Sequence, residues 1–188
     1  MTAYYYPAAS LPMLRGPDQP PPITSEKMLD VCSRYLASRD YDALHAATLK
    51  ADVESASGIC LSYYLWEMSL RNELVRYRAV LQGLAPDEFL RESPDIFGST
   101  SIAYEAMAIK SPLEAEMYLD GCRWAKIEEL SAGHYFDIDF LLAYRLKLQI
   151  LERHVMFEQE RGFAAYQRLY TQVFEAAAAV LPTEGAGT

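Results

Sequence analysis

Ser57-Gly58-Ile59-Cys60-Leu61-Ser62-Tyr63-Tyr64-Leu65-Trp66-Glu67-Met68-Ser69-Leu70-Arg71-Asn72-Glu73-Leu74-Val75-Arg76-Tyr77-Arg78-Ala79-Val80-Leu81-Gln82-Gly83 decides the fold. Ile59, Tyr63, Trp66, Leu70, Leu74, Tyr77 and Leu81 recur at intervals of three and four, so a helix places them on one face. Leu61, Tyr64, Met68 and Val75 fall roughly opposite. A helix apolar on two faces is expected to be buried on both. Glycine closes the stretch, as it does many helices. A second stretch, about 138–161, repeats the design. Leu141, Tyr144, Leu148, Leu151 and Val155 form one stripe, and Leu142, Leu146, Ile150 and Phe157 form another. These two helices are expected to be the central struts of an all-α bundle.

Working outward, capping signals predict shorter helices around the struts. Thr24 or Ser25 can cap a helix to about Ser38, and Asp40 the next, to about Lys50. Pro86 suits the first turn of a short helix that Ser93-Pro94 ends. Ser99 or Thr100 opens another, through Lys110. Ser111-Pro112 starts a helix to Leu130, and Asp137 caps the second strut, which Gly162 ends. A last helix is expected over 163–180. Strand-like alternation is nowhere evident. The expected organisation is therefore an extended Tyr/Pro-rich arm (1–23), one helical domain (24–181) and a disordered tail (182–188). The arm carries Tyr4-Tyr5-Tyr6-Pro7 and Pro20-Pro21-Pro22, a proline density that opposes a regular helix. It is expected to be strand-like near the tyrosines and packed on the body or on a partner.

Composition narrows the function classes. The formal charge is −9, with 26 acidic against 17 basic residues, which opposes binding to phosphate backbones. Cys32, Cys60 and Cys122 are far apart and lack CxxC spacing, the pattern of reduced thiols in a cytoplasmic protein. The N-terminal residues lack the pattern of a signal peptide, and no apolar run is long enough to span a membrane. Any membrane contact is expected through other subunits.

Catalytic and metal motifs are missing from the sequence: P-loop, GxGxxG, GxSxG and HExxH patterns do not occur. Glu152 and His154 are two apart and point to different sides of a helix. His134 and Asp137 could supply two metal ligands, but an Asp at a helix start more commonly caps it. Glu114 and Glu116 form a carboxylate pair too common on helices to signify acid–base work. The expectation is a protein that is not an enzyme and holds neither cofactor nor metal. Glu67 and Arg71 at i, i+4, and Glu73 and Arg76 at i, i+3, suit intrahelical pairs of about 0.2–0.5 kcal/mol each. Alternatively, arginines on the strut flanks dock a partner's carboxylates, or Glu67 and Arg71 tie the bundle together with acids such as Asp120. The candidate partner-binding residues are Tyr4, Tyr5 and Tyr6 on the arm, and Arg71, Arg76, Arg78, Lys147 and Arg153 on the struts. Asn72-Glu73-Leu74-Val75-Arg76 also resembles Gln149-Ile150-Leu151-Glu152-Arg153, as a decayed duplication of a helical unit would.

Several marks occur in a set order: Tyr4-Tyr5-Tyr6 with Ala9-Ser10-Leu11-Pro12, Trp66-Glu67 with Leu70 to Arg76 and Arg78-Ala79, then Pro112 and Ala115-Glu116. After them come Leu119-Asp120 with Arg123-Trp124, His134 to Asp137, Tyr144 to Leu148, and Glu152-Arg153. Together they resemble a bacterial family of uncharacterised proteins encoded among the subunits of V/A-type ATPases. That family is similar, more distantly, to the C (or d) subunit, an all-helical adaptor between the rotary shaft and the membrane rotor ring. The resemblance implies a non-catalytic subunit at the cytoplasmic face of the membrane, with the shaft and rotor-ring subunits as partners. The chain is shorter than the C subunit, so fewer helical units are expected. The alternatives are an independent helical scaffolding or regulatory module and, less favoured by the motifs, a small enzyme with a cryptic pocket.

Overall fold

The computed structural model describes residues 4–50, 56–93, 96, 98–157 and 162–163. The described residues form an all-α structure. The helices are α1 (Tyr5–Ser10), α2 (Ser25–Ser33), α3 (Ser38–Ala46), α4 (Gly58–Gln82), α5 (Ser99–Ala108), α6 (Pro112–Leu130) and α7 (Ile138–Phe157), with a 3-10 turn at Pro86–Glu88. The chain divides into a unit of residues 1–154, which holds the sites described below, and a second of residues 155–188. The predicted end of the second strut at Arg161, most of the last helix and the tail lie outside the described residues.

The first strut forms near its expected bounds, and the second begins where expected. Along α7, Leu141, Leu142, Leu146, Leu148, Ile150 and Leu151 are all buried, each contributing roughly 1.5–3 kcal/mol of gross burial energy. The helix is covered on both apolar faces, as predicted. α4 is not. Its Tyr63, Trp66, Leu70 and Leu74 enter the core, but Leu81 is 75% exposed and Met68 and Val75 are only half-buried. The second face of α4 is left partly open because it walls a cleft. α4 packs on α5, α6 and the 3-10 turn, α5 on α6, and α2 on α3.

Side-chain caps set the starts of α2, α6 and α7. The Thr24 hydroxyl accepts from Lys27 N at 3.2 Å, and Ser111 from Glu114 N at 3.4 Å. Asp137 accepts from Phe140 N at 2.9 Å. At the start of α4, the Ser57 side chain makes no capping bond. The Ile59 amide instead donates to Asp139 of α7 at 3.1 Å. Gly58 makes this possible: its φ is +55°, and a Cβ there would lie 2.3 Å from the Asp139 carboxylate. α3 starts before Asp40, and Asp40 accepts from the Tyr4 hydroxyl at 2.6 Å.

The arm packs on the body. Its tyrosines do not begin a strand; Tyr5–Ser10 is a short helix. Pro7 stands third in it, where the missing N–H costs no helical bond. Beyond Ser10 no helix forms until Ser25. The Tyr144 hydroxyl donates to Pro12 O at 2.8 Å, and His154 Nδ1 lies 2.9 Å from Pro17 O. Five arm residues thus match ten residues of α7. Extended proline-rich chain advances about 3.1 Å per residue and helix about 1.5 Å, so the two run in step. Ser25 closes the arm by donating from its amide and hydroxyl to Glu152, at 2.6 and 2.7 Å.

Candidate functional site

The site grows from a glutamate on the inner side of α4. Glu67 is fully buried. Arg123 of α6 grips it with two bonds, Nε to Oε2 at 3.0 Å and Nη2 to Oε1 at 3.1 Å. Arg71, one turn along α4, donates its Nε to Oε1 at 2.8 Å. Arg123 also reaches Asp120, buried one turn away, at 2.7 Å. Asp120 then receives Arg153 of α7 at 3.1 Å, and its second oxygen lies 3.2 Å from His154 Nε2. Arg153 also donates to Glu116 at 2.5 Å.

Three carboxylates, three arginines and a histidine therefore tie α4, α6, α7 and the arm into one lock. The His154 ring lies between two acceptors, the Pro17 carbonyl on one nitrogen and the Asp120 carboxylate on the other. Burial by itself would lower the Arg123 pKa, but the charge and hydrogen bonds of Glu67, with those of Asp120, outweigh it and hold the group above its usual value.

The lock forms one wall of an open cleft of about 450 Å³. Arg71, Arg78, Arg91, Arg123 and Arg153 line it, with Glu116 as the one carboxylate among the described residues. Arg91 arrives from the loop after the 3-10 turn. Asn72 holds that loop on α4: Arg91 N donates to its Oδ1 at 3.0 Å, and its Nδ2 donates to Arg91 O at 2.7 Å and Ser93 Oγ at 2.8 Å. Phe89, Met68, Val75, Leu74 and Leu119 supply the apolar surface.

Of the residues predicted to bind a partner, Arg71, Arg78 and Arg153 come together here. Arg76 does not line this cleft; it pairs with Glu73 at 3.3 Å. Lys147 is tied inward, 3.2 Å from Glu128 and 5.1 Å from the Trp124 ring centre. Burial lowers its pKa against the opposing charge of Glu128. Tyr4 is engaged with Asp40. Tyr5 and Tyr6 remain exposed within a ladder of rings: Tyr6 stacks on Tyr35 at 5.8 Å, and Tyr5 meets Phe136 at 5.1 Å. Arg91, Arg123 and Asn72 were not singled out as functional from the sequence. The Asp120/Arg123 spacing of three was the available signal, because it puts both side chains on one side of α6.

Among the described residues, no group of three or more His, Cys, Asp or Glu side chains is placed to hold a metal ion. His134 and Asp137 lie 2.7 Å apart as an ion pair at the start of α7. No described helix is long and apolar enough to cross a membrane. Residues 91–175 match the model of a family described as a protein of unknown function, DUF2764. That stretch runs from Arg91 through α6 and α7, so it carries one side of the lock and cleft, while Glu67, Arg71 and Arg78 lie before it. No curated protein and no solved structure matches the chain.

Proposed function

We propose that the chain is a non-catalytic subunit of a bacterial V/A-type ATPase, taking the place of the C (d) subunit between rotary shaft and membrane rotor ring. The observation that carries this reading is the convergence of the resemblance marks. Glu67, Arg71, Glu116, Asp120, Arg123 and Arg153 are scattered over nearly ninety positions in the sequence, yet they meet in a single lock. An adaptor under torque must resist sliding of one helix past another. Apolar packing is non-directional, whereas bidentate arginine–carboxylate bonds fix direction and register. Two chemically different surfaces, the arginine cleft and the exposed aromatic ladder, suit an adaptor with two partners. On this reading the chain sits at the cytoplasmic face of the membrane, held there through the other subunits.

The test is to tag the chain in its native host, solubilise the membranes gently and identify what co-purifies. The expected result is recovery of the ATPase catalytic and stalk subunits in fixed ratio with the chain. Purification of an intact ATPase that lacks the chain, while the tagged chain is recovered alone or with unrelated proteins, would favour a free-standing scaffold and overturn the adaptor reading.

A further inference from the structure

We infer that the arginine cleft is a docking site for an acidic, partly apolar segment of a partner protein, whose carboxylates are received by Arg78 and Arg91. The five arginines of the cleft are not equivalent. Arg71, Arg123 and Arg153 already hold Glu67, Asp120 and Glu116. Arg78 and Arg91 are exposed and make no ion pair among the described residues, so their planar forks are open to a ligand. Counting the five arginines against those three carboxylates leaves a local charge of +2, and it falls on Arg78 and Arg91.

Arg91 is held in place. Asn72 grips its backbone through both N–H and C=O, so the loop that presents it is fixed before any partner arrives. Beside these cations lies apolar surface: Phe89 is 52% exposed, and Val75 and Met68 are half-buried. Charge complementarity selects the occupant. The chain as a whole carries −9 and repels acidic partners, yet five of its twelve arginines converge on this cleft. Two separate cations beside apolar surface suit side-chain carboxylates on a segment that also offers apolar groups. A compact polyanion would instead meet Glu116, which lines the same cleft.

This assignment rests on the adaptor reading for the partner's identity and on the cleft alone for its chemistry. The experiment uses the full chain and a fluorescein-labelled helical peptide of alternating Glu and Leu pairs, with a Gln-for-Glu peptide as control, read by fluorescence anisotropy. The Glu peptide is expected to bind, to weaken as salt rises from about 0.05 to 0.5 M, and to lose about tenfold or more in affinity with Arg78→Glu/Arg91→Glu. Melting temperature should be unchanged in that variant, because both side chains are exposed and neither is in an ion pair among the described residues. If it falls, Arg78→Gln/Arg91→Gln is measured instead, with the same expected loss.

Equal binding of the Glu and Gln peptides, or undiminished binding by a folded double variant, would overturn the assignment. So would tighter binding of inorganic pyrophosphate than of the peptide, which marks a small-anion site. Failed peptide binding with the ATPase subunits still co-purifying overturns the cleft alone. Retained binding without those subunits overturns the adaptor reading alone.

Discussion

Replacing Glu67 by Gln should cost about 3 kcal/mol of stability, the low end of the ~3–5 kcal/mol expected when one member of a buried ion pair is removed. The side chain keeps its size, so the loss is electrostatic. Glu67 accepts three charge-assisted bonds, two from Arg123 and one from Arg71. Glutamine presents one oxygen and one NH2 to those donors, so at least one arginine N–H meets another donor. Arg123 is left buried with half its counter-charge. The cost stays at the low end for two reasons: Asp120 still holds Arg123 at 2.7 Å, and Arg71, with 44% of its side chain exposed, can turn to water. A chain of this size loses about 2–4 °C of melting temperature per kcal/mol, so the expected fall is about 6–12 °C. Glu67→Met/Arg123→Leu should be less destabilised than Glu67→Gln, since it removes both charges and leaves Asp120 with Arg153 and His154. Arg34→Ala is the control. Its pair with Asp30 is shorter, at 2.6 Å, but both side chains are at least 60% exposed, so the loss should stay under about 1 kcal/mol. Urea and thermal unfolding supply the measurements. A cost for Glu67→Gln below about 1 kcal/mol, or one equal to that of Arg34→Ala, would refute the view that burial gives this lock its strength.

Two further perturbations probe neighbouring parts. The hydrogen bond from His134 to Asp137, aided by the charges of Asp137 and Asp139, outweighs partial desolvation and raises the His134 pKa. Burial would raise Asp137, but the Phe140 amide and His134 together bring it below the usual carboxylate value. The contribution of a raised His is complete below its unfolded pKa and is lost as pH rises through the folded one. That of a lowered Asp is complete above its unfolded pKa and is lost as pH falls through the folded one. The pair is therefore at full strength from about pH 4 to about 6.5. NMR titration should find His134 above the ordinary value and Asp137→Asn should bring it down while keeping the α7 cap, since Asn caps as well as Asp; an unmoved titration sinks the assignment. Asn72→Ala should cost about 1–3 kcal/mol for the backbone groups it leaves unpaired and speed hydrogen exchange at the Arg91 amide, whereas exchange at Arg91 unchanged from wild type would show that the loop is held by something else.

Much of the fold was legible because helical periodicity and caps are local signals. The stripes of α7, the Thr24 and Ser111 caps and the Asp137 cap are written within a few residues of where they act. Most of the misses are non-local. Asp139 caps α4 from another helix, and nothing near Ser57 announces it. The short helix at Tyr5–Ser10 was hidden because proline opposes helix interiors yet is tolerated in a first turn. The half-open second face of α4 reads in sequence like a buried one, since Met68 and Val75 are as apolar as any core residue. The Glu67–Arg71 pair was visible as a spacing, but its burial was not, because the partner that justifies it, Arg123, lies 56 positions away. Arg91 carried no local signal at all; its place in the cleft depends on Asn72, 19 positions earlier.

The likeness between Asn72-Glu73-Leu74-Val75-Arg76 and Gln149-Ile150-Leu151-Glu152-Arg153 can now be read physically. Both pentads begin with a carboxamide, and both carboxamides clamp a loop. Asn72 receives Arg91 N and donates to Arg91 O; Gln149 receives Leu49 N at 3.1 Å and donates to Ala47 O at 2.9 Å. A carboxamide offers one acceptor and two donors in a plane, the pattern a backbone segment outside regular structure must satisfy. The third residue of each pentad, Leu74 and Leu151, is buried beside it. Chain order argues against a repeated unit, however. The loop held by α4 follows that helix, whereas the loop held by α7 lies about a hundred positions before it. A duplicated helix-and-loop unit would keep the loop on the same side in sequence. The shared pentad is better explained by a shared local task than by descent from one unit, so the likeness adds nothing to the case for an adaptor built of repeats. The adaptor proposal rests instead on the lock that braces three helices and on the cleft beside it. Of the two clamps, only Asn72 presents a cation to that cleft. Gln149 instead joins Arg145, whose Nε donates to the same Ala47 carbonyl at 3.0 Å, in closing the C-terminal end of α3. The two arginines proposed to receive a partner, Arg78 and Arg91, are therefore both placed by α4, while α7 is buried along most of its length.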